Sequence, residues 1–447
     1  MPIPSYSGLN TALSGLEAAQ AAIDTTGQNI ANANNPGYSR QTAVLAESDS
    51  LDLPAFSNTT GHGVQLGTGV DVTTINRVRD QFLDVQYRAQ NSATSGLQTA
   101  SGLLQQVQTA LAEPSTDGVT SQLTAFWNSW SNLANAPTSL AAKQGVVDSA
   151  TTLADTFNGI DSQLQTIQNQ ADSQYTSLTS SSGQIQSDAN QIAALNGEIN
   201  QALGAGQSPN NLLDQRDQLL DDLSQYGTVS VTDPGNGLLV VNFGGDMSTP
   251  LVNGKSANSV SSLNLGPNSG GTIGTLAGLV SPTGQISGYL NTLNQFATTL
   301  ANSVNALHTA TPFFAVNTST TSLGATATTL SVAVAPANVQ TTTTSNPGAN
   351  DVAMAIAGLA GGAADQDYSS FVSQVGSDVQ SNQSNLTTAN TLLSSINGQR
   401  ESVSGVSLDE EMTNLITYQR AYEASARMMN TINSTLDTII NQVGAGL

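Results

Sequence analysis

The chain contains no cysteine, which excludes thiol catalysis, cysteine-ligated zinc and disulfides together. Charge is scarce: 9% of residues are Asp, Glu, Lys or Arg, against about 25% in an average soluble domain. Basic residues are scarcer still, ten against 32 acidic ones, and the net charge is −22. Such a surface repels phosphate, so neither nucleic acid nor a membrane of anionic lipid is an expected partner. Aromatic residues make up 4% of the chain, too few for a series of compact cores built on large rings. No apolar run approaches the ~18–20 residues of a membrane span, so no membrane insertion is expected. The first basic residue is Arg40, so the basic n-region of a secretory signal is missing as well.

What remains is Ala, Leu and Gln mixed with much Ser, Thr and Asn, in 447 residues. On length this is about three domains' worth of mainly helical protein. The clearest pattern stands at the N-terminus. Leu9, Leu16, Ile23 and Ile30 recur every seven residues, Ala12 and Ala19 take the d positions, and Leu13 fills an e position. Glu17 and Asp24, the charges of this segment, both fall at b and face outward. The periodicity predicts one amphipathic helix from about Ser5 to Asn34, ended by Asn35-Pro36-Gly37, because the residue before proline is pushed out of the α region.

The C-terminus repeats the pattern. Leu408, Leu415, Tyr422, Met429, Leu436 and Val443 hold a spacing of seven, with Tyr418, Ile432 and Ile439 at d. Beyond the first turn every charge lies at b or f. Ser407 and Glu410 form a capping-box signature, and Asp409 and Glu411 suit the positive end of the helix. Neither stripe carries the e/g charge pairs of a two-stranded coil, and apolar e positions such as Met412 widen it. Stripes this wide need more cover than two lone helices provide. The expected assembly interface is therefore Leu9, Leu13, Leu16, Ile23 and Ile30 with Leu408, Leu415, Tyr418, Tyr422, Met429, Ile432, Leu436, Ile439 and Val443.

Helical spacing also marks Val78 to Leu111, Leu123 to Trp130, and Leu153 through Ile199, the last as a single rod or a pair of helices. After Leu223 the period changes from 3.6 to 2. Val229 and Val231, then Leu239 and Val241, flank Asp233-Pro234-Gly235-Asn236-Gly237, a hairpin signal, and Asn253-Gly254 suggests a second turn. Helix returns from Ile286 to Leu307. A Thr/Ala-rich tract over 318–350 reads equally as a strand insert or a loop, and helix resumes at Phe371.

No catalytic constellation emerges. His62 sits in a Gly-His-Gly loop and His308 at a helix end, where a cation would suit the dipole. Asp214, Asp217 and Asp221 share one helical face and read far more readily as a solvated acidic edge balanced by Arg216 than as oxygen ligands. Trp127 and Trp130 read as helical core. No enzyme activity, metal or cofactor is expected.

Three segments carry a resemblance. Ala12-Leu13-Ser14-Gly15-Leu16, Asp24-Thr25-Thr26-Gly27-Gln28-Asn29-Ile30-Ala31-Asn32 and Pro36-Gly37-Tyr38-Ser39-Arg40-Gln41 resemble the N-terminal signature of bacterial flagellar rod, hook and hook-associated proteins. The C-terminal helix, with Ser404-Gly405-Val406-Ser407-Leu408 leading to Tyr418-Gln419-Arg420-Ala421-Tyr422, is similar to their shared C-terminal region. Asn210-Asn211-Leu212-Leu213-Asp214-Gln215-Arg216-Asp217-Gln218-Leu219 resembles the hook-associated branch, and argues against the hook protein and hook-associated protein 3. A secreted adhesin carried on the same export signal is the more distant alternative.

The resemblance implies a mainly α fold with a β insertion in a nested layout. Residues 1–70 and 404–447 would form a terminal coiled-coil assembly domain. Residues 71–227 and 279–403 would form a helical rod domain, and 228–278 a small β-rich outer domain. It implies a structural adaptor at the junction of hook and filament. It further implies a ring of subunits, expected to be eleven, lying between hook protein and hook-associated protein 3. Type III export would carry the chain from cytoplasm to flagellum, after a cytosolic chaperone has held its C-terminal region.

Overall fold

A computed structural model describes residues 7–53, 64–320, 326–346, 348–438 and 441. Helix makes up 67% of the chain, and the described residues also form four small antiparallel sheets, the mainly α fold with a β part that the sequence predicts.

The first helix, α1 (Ser7–Asn32), stops short of Pro36 as expected. A two-stranded ribbon follows that helical periodicity did not reveal: β1 (Gln41–Glu47) pairs with β4 (Val70–Arg77), from Gln41↔Arg77 to Glu47↔Val70 with a bulge at Val44/Leu45. Beyond it β2 (Leu51–Leu53) pairs with β3 (Val64–Leu66). His62 lies outside the described residues. Helix α2 (Gln81–Leu111) starts where the Asp80 carboxylate accepts the Phe82 N–H at 2.8 Å. Phe82 and Val85 face water, 68% and 61% exposed, while Leu83 between them is buried, so the inward stripe is not the Phe82–Val85 row that the spacing marks.

Next come α3 (Val119–Asn135), α4 (Leu140–Thr179), α5 (Gln184–Gly204) and α6 (Asn210–Tyr226). The long run through Ile199 is thus a pair of helices, broken at Ser180–Gly183. A four-stranded meander follows: β5 (Val229–Thr232), β6 (Val240–Phe243), β7 (Val252–Asn253) and β8 (Ser256–Ala257). The hairpin signal is realised with Val231 opposite Val241. Gly237 (φ +80) turns the loop so close to α5 that a Cβ there would meet Ile199 at 2.7 Å.

The chain continues through α7 (Gly271–Val280) and α8 (Gln285–Leu307) to the hairpin β9 (Phe314–Thr320) and β10 (Thr326–Val332). It closes with α9 (Asp351–Ala357), α10 (Ala363–Ser404) and α11 (Leu408–Thr438). The hairpin decides the reading of the Thr/Ala-rich tract: Leu330 is buried, and its N–H and C=O are both bonded by the Asn158 side chain of α4.

Among the described residues, two clusters gather most of the buried apolar side chains. The larger joins α2, α3, α4, α7, α8, α9, α10 and the β9–β10 hairpin. Within it the few aromatics are concentrated, with Phe126, Trp130, Phe313 and Phe314 in tilted and edge-on contact at centroid distances of 4.9–6.3 Å. The smaller packs α5 and α6 against the β5–β8 sheet through Ile185, Ile192, Leu220, Leu223, Val241 and Phe243. His308 caps α8 but is not the expected cation. Its Nε2 accepts the Gln340 N–H at 2.9 Å, so the proton is on Nδ1, 2.6 Å from the Thr311 carbonyl. Burial lowers its pKa.

Candidate assembly interface

Helices α1 and α11 lie antiparallel, and their register follows from three contacts. The Asn29 amide donates to the Glu411 carboxylate at 3.0 Å. Seven-residue steps away, a Cβ on Gly15 would stand 3.0 Å from Ser425 Oγ, and one on Gly8 would stand 3.2 Å from Ile432 Cδ1. Down α1 the seam is Asn29, Ala22, Gly15, Gly8; up α11 it is Glu411, Tyr418, Ser425, Ile432. Small residues on α1 thus bring the two axes together.

The Leu/Ile row that defines the N-terminal heptad is displaced by one residue from this seam. Leu9, Leu16, Ile23 and Ile30 are only partly buried, and Leu13 is 43% exposed. On α11, Leu415, Tyr418, Tyr422, Met429, Ile432 and Leu436 are partly buried, while Leu408, Met412 and Ile416 are half exposed or more. Ile439 and Val443 lie outside the described residues. The one fully buried residue of α11 is Glu411. Two wide stripes have met along their edges, and the Leu/Ile rows keep part of their apolar surface exposed.

At the inner end of the seam lies a polar group that the heptads did not indicate. Asn29 is 1% exposed and uses its whole amide. Nδ2 donates to Gln41 O and to Glu411, while Oδ1 accepts from Gln41 N and from the Tyr38 hydroxyl. Burial, with Asp214 and Glu411 beside it, pushes the Tyr38 phenol up to about 12. One signal was present in the sequence: Glu411 occupies a d position, a charge on the stripe itself. The capping box is only half formed. The Glu410 N–H reaches Ser407 Oγ at 3.5 Å, but its carboxylate pairs with Arg40 at 2.8 Å.

A belt of ion pairs joins this terminal unit to the rest. Arg77 bonds Asp214 and Asp217, each at 2.8 Å. Arg79 bonds Asp84 at 2.7 Å and Asp217 at 3.1 Å. Arg400 spans Asp84 and Asp221 at 2.7 and 2.6 Å and lies over the Tyr87 ring, and Arg88 also holds Asp221. Burial opposes ionisation of Asp84, yet the Arg79 hydrogen bonds and the Arg400 charge hold its pKa below the usual range. Burial pushes Asp221 up against the pull of Arg400 and Arg88. The acidic edge is therefore neither solvated nor balanced by Arg216. That residue is 3% exposed on the opposite side of α6, bonded to Asn196 and the Gly237 carbonyl. A helix places residues i, i+3 and i+7 together, and the arginines that meet them come from distant segments.

Among the described residues no group of His, Asp and Glu is arranged to hold a metal ion, and no helix is long and apolar enough to cross a membrane. Residues 104–311 match the family of the flagellar hook-associated protein FlgK helical domain. Residues 9–38 match the flagella basal body rod protein family, and 397–443 the C-terminal family of the flagellar basal body rod FlgEFG proteins. The chain is 30% identical to flagellar hook-associated protein 1 of Bacillus subtilis over 514 aligned positions, covering 99% of each. It is 27% identical to flagellar hook-associated protein 1 of Escherichia coli, over 97% of this chain and 99% of the relative. Among solved structures, the flagellar hook junction protein FlgK of Burkholderia pseudomallei matches at 28% identity and a TM-score of 0.44, over 52% of this chain and 47% of that one.

Proposed function

The chain belongs to the flagellar hook-associated protein 1 family, and from that premise we propose that it joins hook to filament through its terminal helices. It is a structural component of the bacterial flagellum at the hook–filament junction. The finer reading is a ring of subunits, expected to be eleven, in contact with hook protein on one side and hook-associated protein 3 on the other. Export in an unfolded state precedes assembly, with a cytosolic chaperone on the C-terminal region. The domain division at 70, 227, 278 and 404 belongs to the same reading.

The observation that carries the proposal is the pair of uncovered rows. Leu9, Leu16, Ile23 and Ile30 on α1, with Leu408, Leu415, Tyr422, Met429 and Leu436 on α11, are apolar at every heptad turn and only partly covered within one subunit. Ile439 and Val443 continue the C-terminal row in sequence. The apolar surface these side chains leave exposed regains about 25 cal/mol per Å² when neighbouring subunits cover it, and a ring repeats that gain at each contact.

Immunogold labelling of intact cells tests the reading. Label is expected in one narrow band where hook meets filament; label along the whole hook would overturn it in favour of a hook component.

A further inference from the structure

The β9–β10 hairpin turns the N–H and C=O of alternate residues away from its own ladder, and helix side chains bond them. On β9, Asn305 of α8 accepts the Phe314 N–H at 3.0 Å and donates to its carbonyl at 2.9 Å. On β10, Asn158 of α4 does the same for Leu330, at 3.0 and 2.9 Å. An amide suits both groups, because it carries an acceptor and donors side by side. The alternation brings Thr328 to the same edge of β10, and one turn beyond Asn158 the α4 side chain that meets it is Asp161. The Asp161 carboxylate accepts the Thr328 N–H and a hydrogen bond from Gln165 Nε2 to its Oδ2. Its Oδ1 has no partner, although Asp161 is 5% exposed and Thr328 1%. No cation is at hand either. Residues 256–350, which supply α8, β9 and β10, contain no Asp, Glu, Lys or Arg. Their ionisable groups are Tyr289, which donates to Asp378, and His308, at the base of the hairpin. On α4 itself the neighbouring carboxylates are Asp155, which is exposed, and Asp172.

We propose that Asp161 is a proton-operated clasp on the hairpin: as the neutral acid it completes on Thr328 the two-bond grip that Asn158 makes on Leu330, and ionisation opens that grip. A protonated carboxyl has the shape of an amide with a hydroxyl in place of the NH2. Its Oδ1–H then donates to the Thr328 carbonyl while the other oxygen keeps the N–H. The ionised form sets two acceptors against each other and leaves a charge in a buried contact that holds no cation. Burial accordingly raises the Asp161 pKa above the usual carboxylate range, against the pull of the Gln165 and Thr328 hydrogen bonds. The grip is therefore complete in acid and is lost as pH rises through the raised folded value. Phe313, Phe314 and Leu330 belong to the larger core, so the clasp governs how firmly β10 lies on α4 while these residues anchor the hairpin. This inference concerns the helical body of one subunit and does not rest on the junction reading.

Hydrogen exchange read by mass spectrometry over residues 326–332 tests the clasp, each rate being divided by that of an unstructured peptide at the same pH. Asp161→Asn supplies the missing donor permanently and should grip Thr328 at every pH. The parent should be protected as well as this variant near pH 5 and about tenfold less near pH 8. His308 titrates in the same window, but both proteins carry it, and its effect cancels in their ratio. Asp161→Ala removes both bonds and should be the least protected of the three near pH 5. Exchange in α5, which packs in the smaller cluster, should be the same in all of them. A parent-to-Asn ratio that stays constant from pH 5 to 8 overturns the clasp, and so does weaker protection in Asp161→Asn than in Asp161→Ala. Faster exchange of the parent at pH 8 that extends to α5 also overturns it, since the body and not the hairpin would then be titrating.

Discussion

Asn29 and Glu411, 382 positions apart in the chain, share a 3.0 Å hydrogen bond at the buried end of the α1–α11 seam. The carboxylate is 3% exposed and the amide 1%, so this contact fixes the register of the terminal helices where their packing is driest. Replacing Asn29 with Ala leaves the Glu411 carboxylate and both backbone groups of Gln41 without these partners. Each buried group so stranded costs about 1–3 kcal/mol. The α1–α11 pair should loosen while the body keeps its stability. Faster amide exchange confined to residues 7–47 and 408–438 is the expected pattern.

The uncovered rows separate assembly from folding. Leu415→Asp places a carboxylate on a partly buried position in the single subunit but at a dry contact in a ring, where an unpaired charge costs several kcal/mol. The isolated protein should melt like the parent, and cells carrying it should bear hooks without filaments and shed flagellin. Ile432→Asp is the contrasting case: its side chain lies against Gly8, so the α1–α11 pair should loosen in the monomer too. Asp437→Asn, at an outward b position, should change neither property.

The β5–β8 sheet should unfold together with α5 and α6. Phe243 is fully buried, and a Cβ on Gly227 would meet its ring at 2.7 Å. Phe243→Ala should cost about 3–5 kcal/mol. Chemical denaturation followed by far-UV circular dichroism reads the result; a change confined to the sheet, with α5 and α6 unaffected, would contradict the shared core.

His308 gives the body a pH dependence of defined sign. Its folded pKa is below the unfolded value of about 6.5. Below that value the unfolded chain therefore takes up a proton that the folded ring resists. The contribution is complete above about pH 6.5 and is lost as pH falls from there through the folded pKa. His308→Asn should lower stability at pH 7.5 but flatten the decline on acidification. Parallel pH–stability curves for parent and variant would show that the ring does not titrate in this way.

Much of this protein could be read from its sequence. Seven-residue spacing of Leu and Ile located both terminal helices, because periodicity is a local property that the backbone converts directly into a stripe. Pro36 stopped α1, and the change of period after Leu223 located the meander. The β1–β4 ribbon escaped notice, since a strand exposed along most of its length carries no clean alternation. Which part of each stripe meets its own partner was not legible either. A wide stripe offers several seams of equal period, and the choice fell to the Gly8–Gly15 row, where the absence of side chains permits the closest approach. Nor did spacing reveal that Asp214 and Asp217 face arginines from β4 and its exit while Arg216 turns inward. Helix geometry dictates only that neighbours at i+2 point apart; Arg77, the partner of both Asp214 and Asp217, lies more than a hundred residues away, and only the folded chain brings it within 3 Å of them.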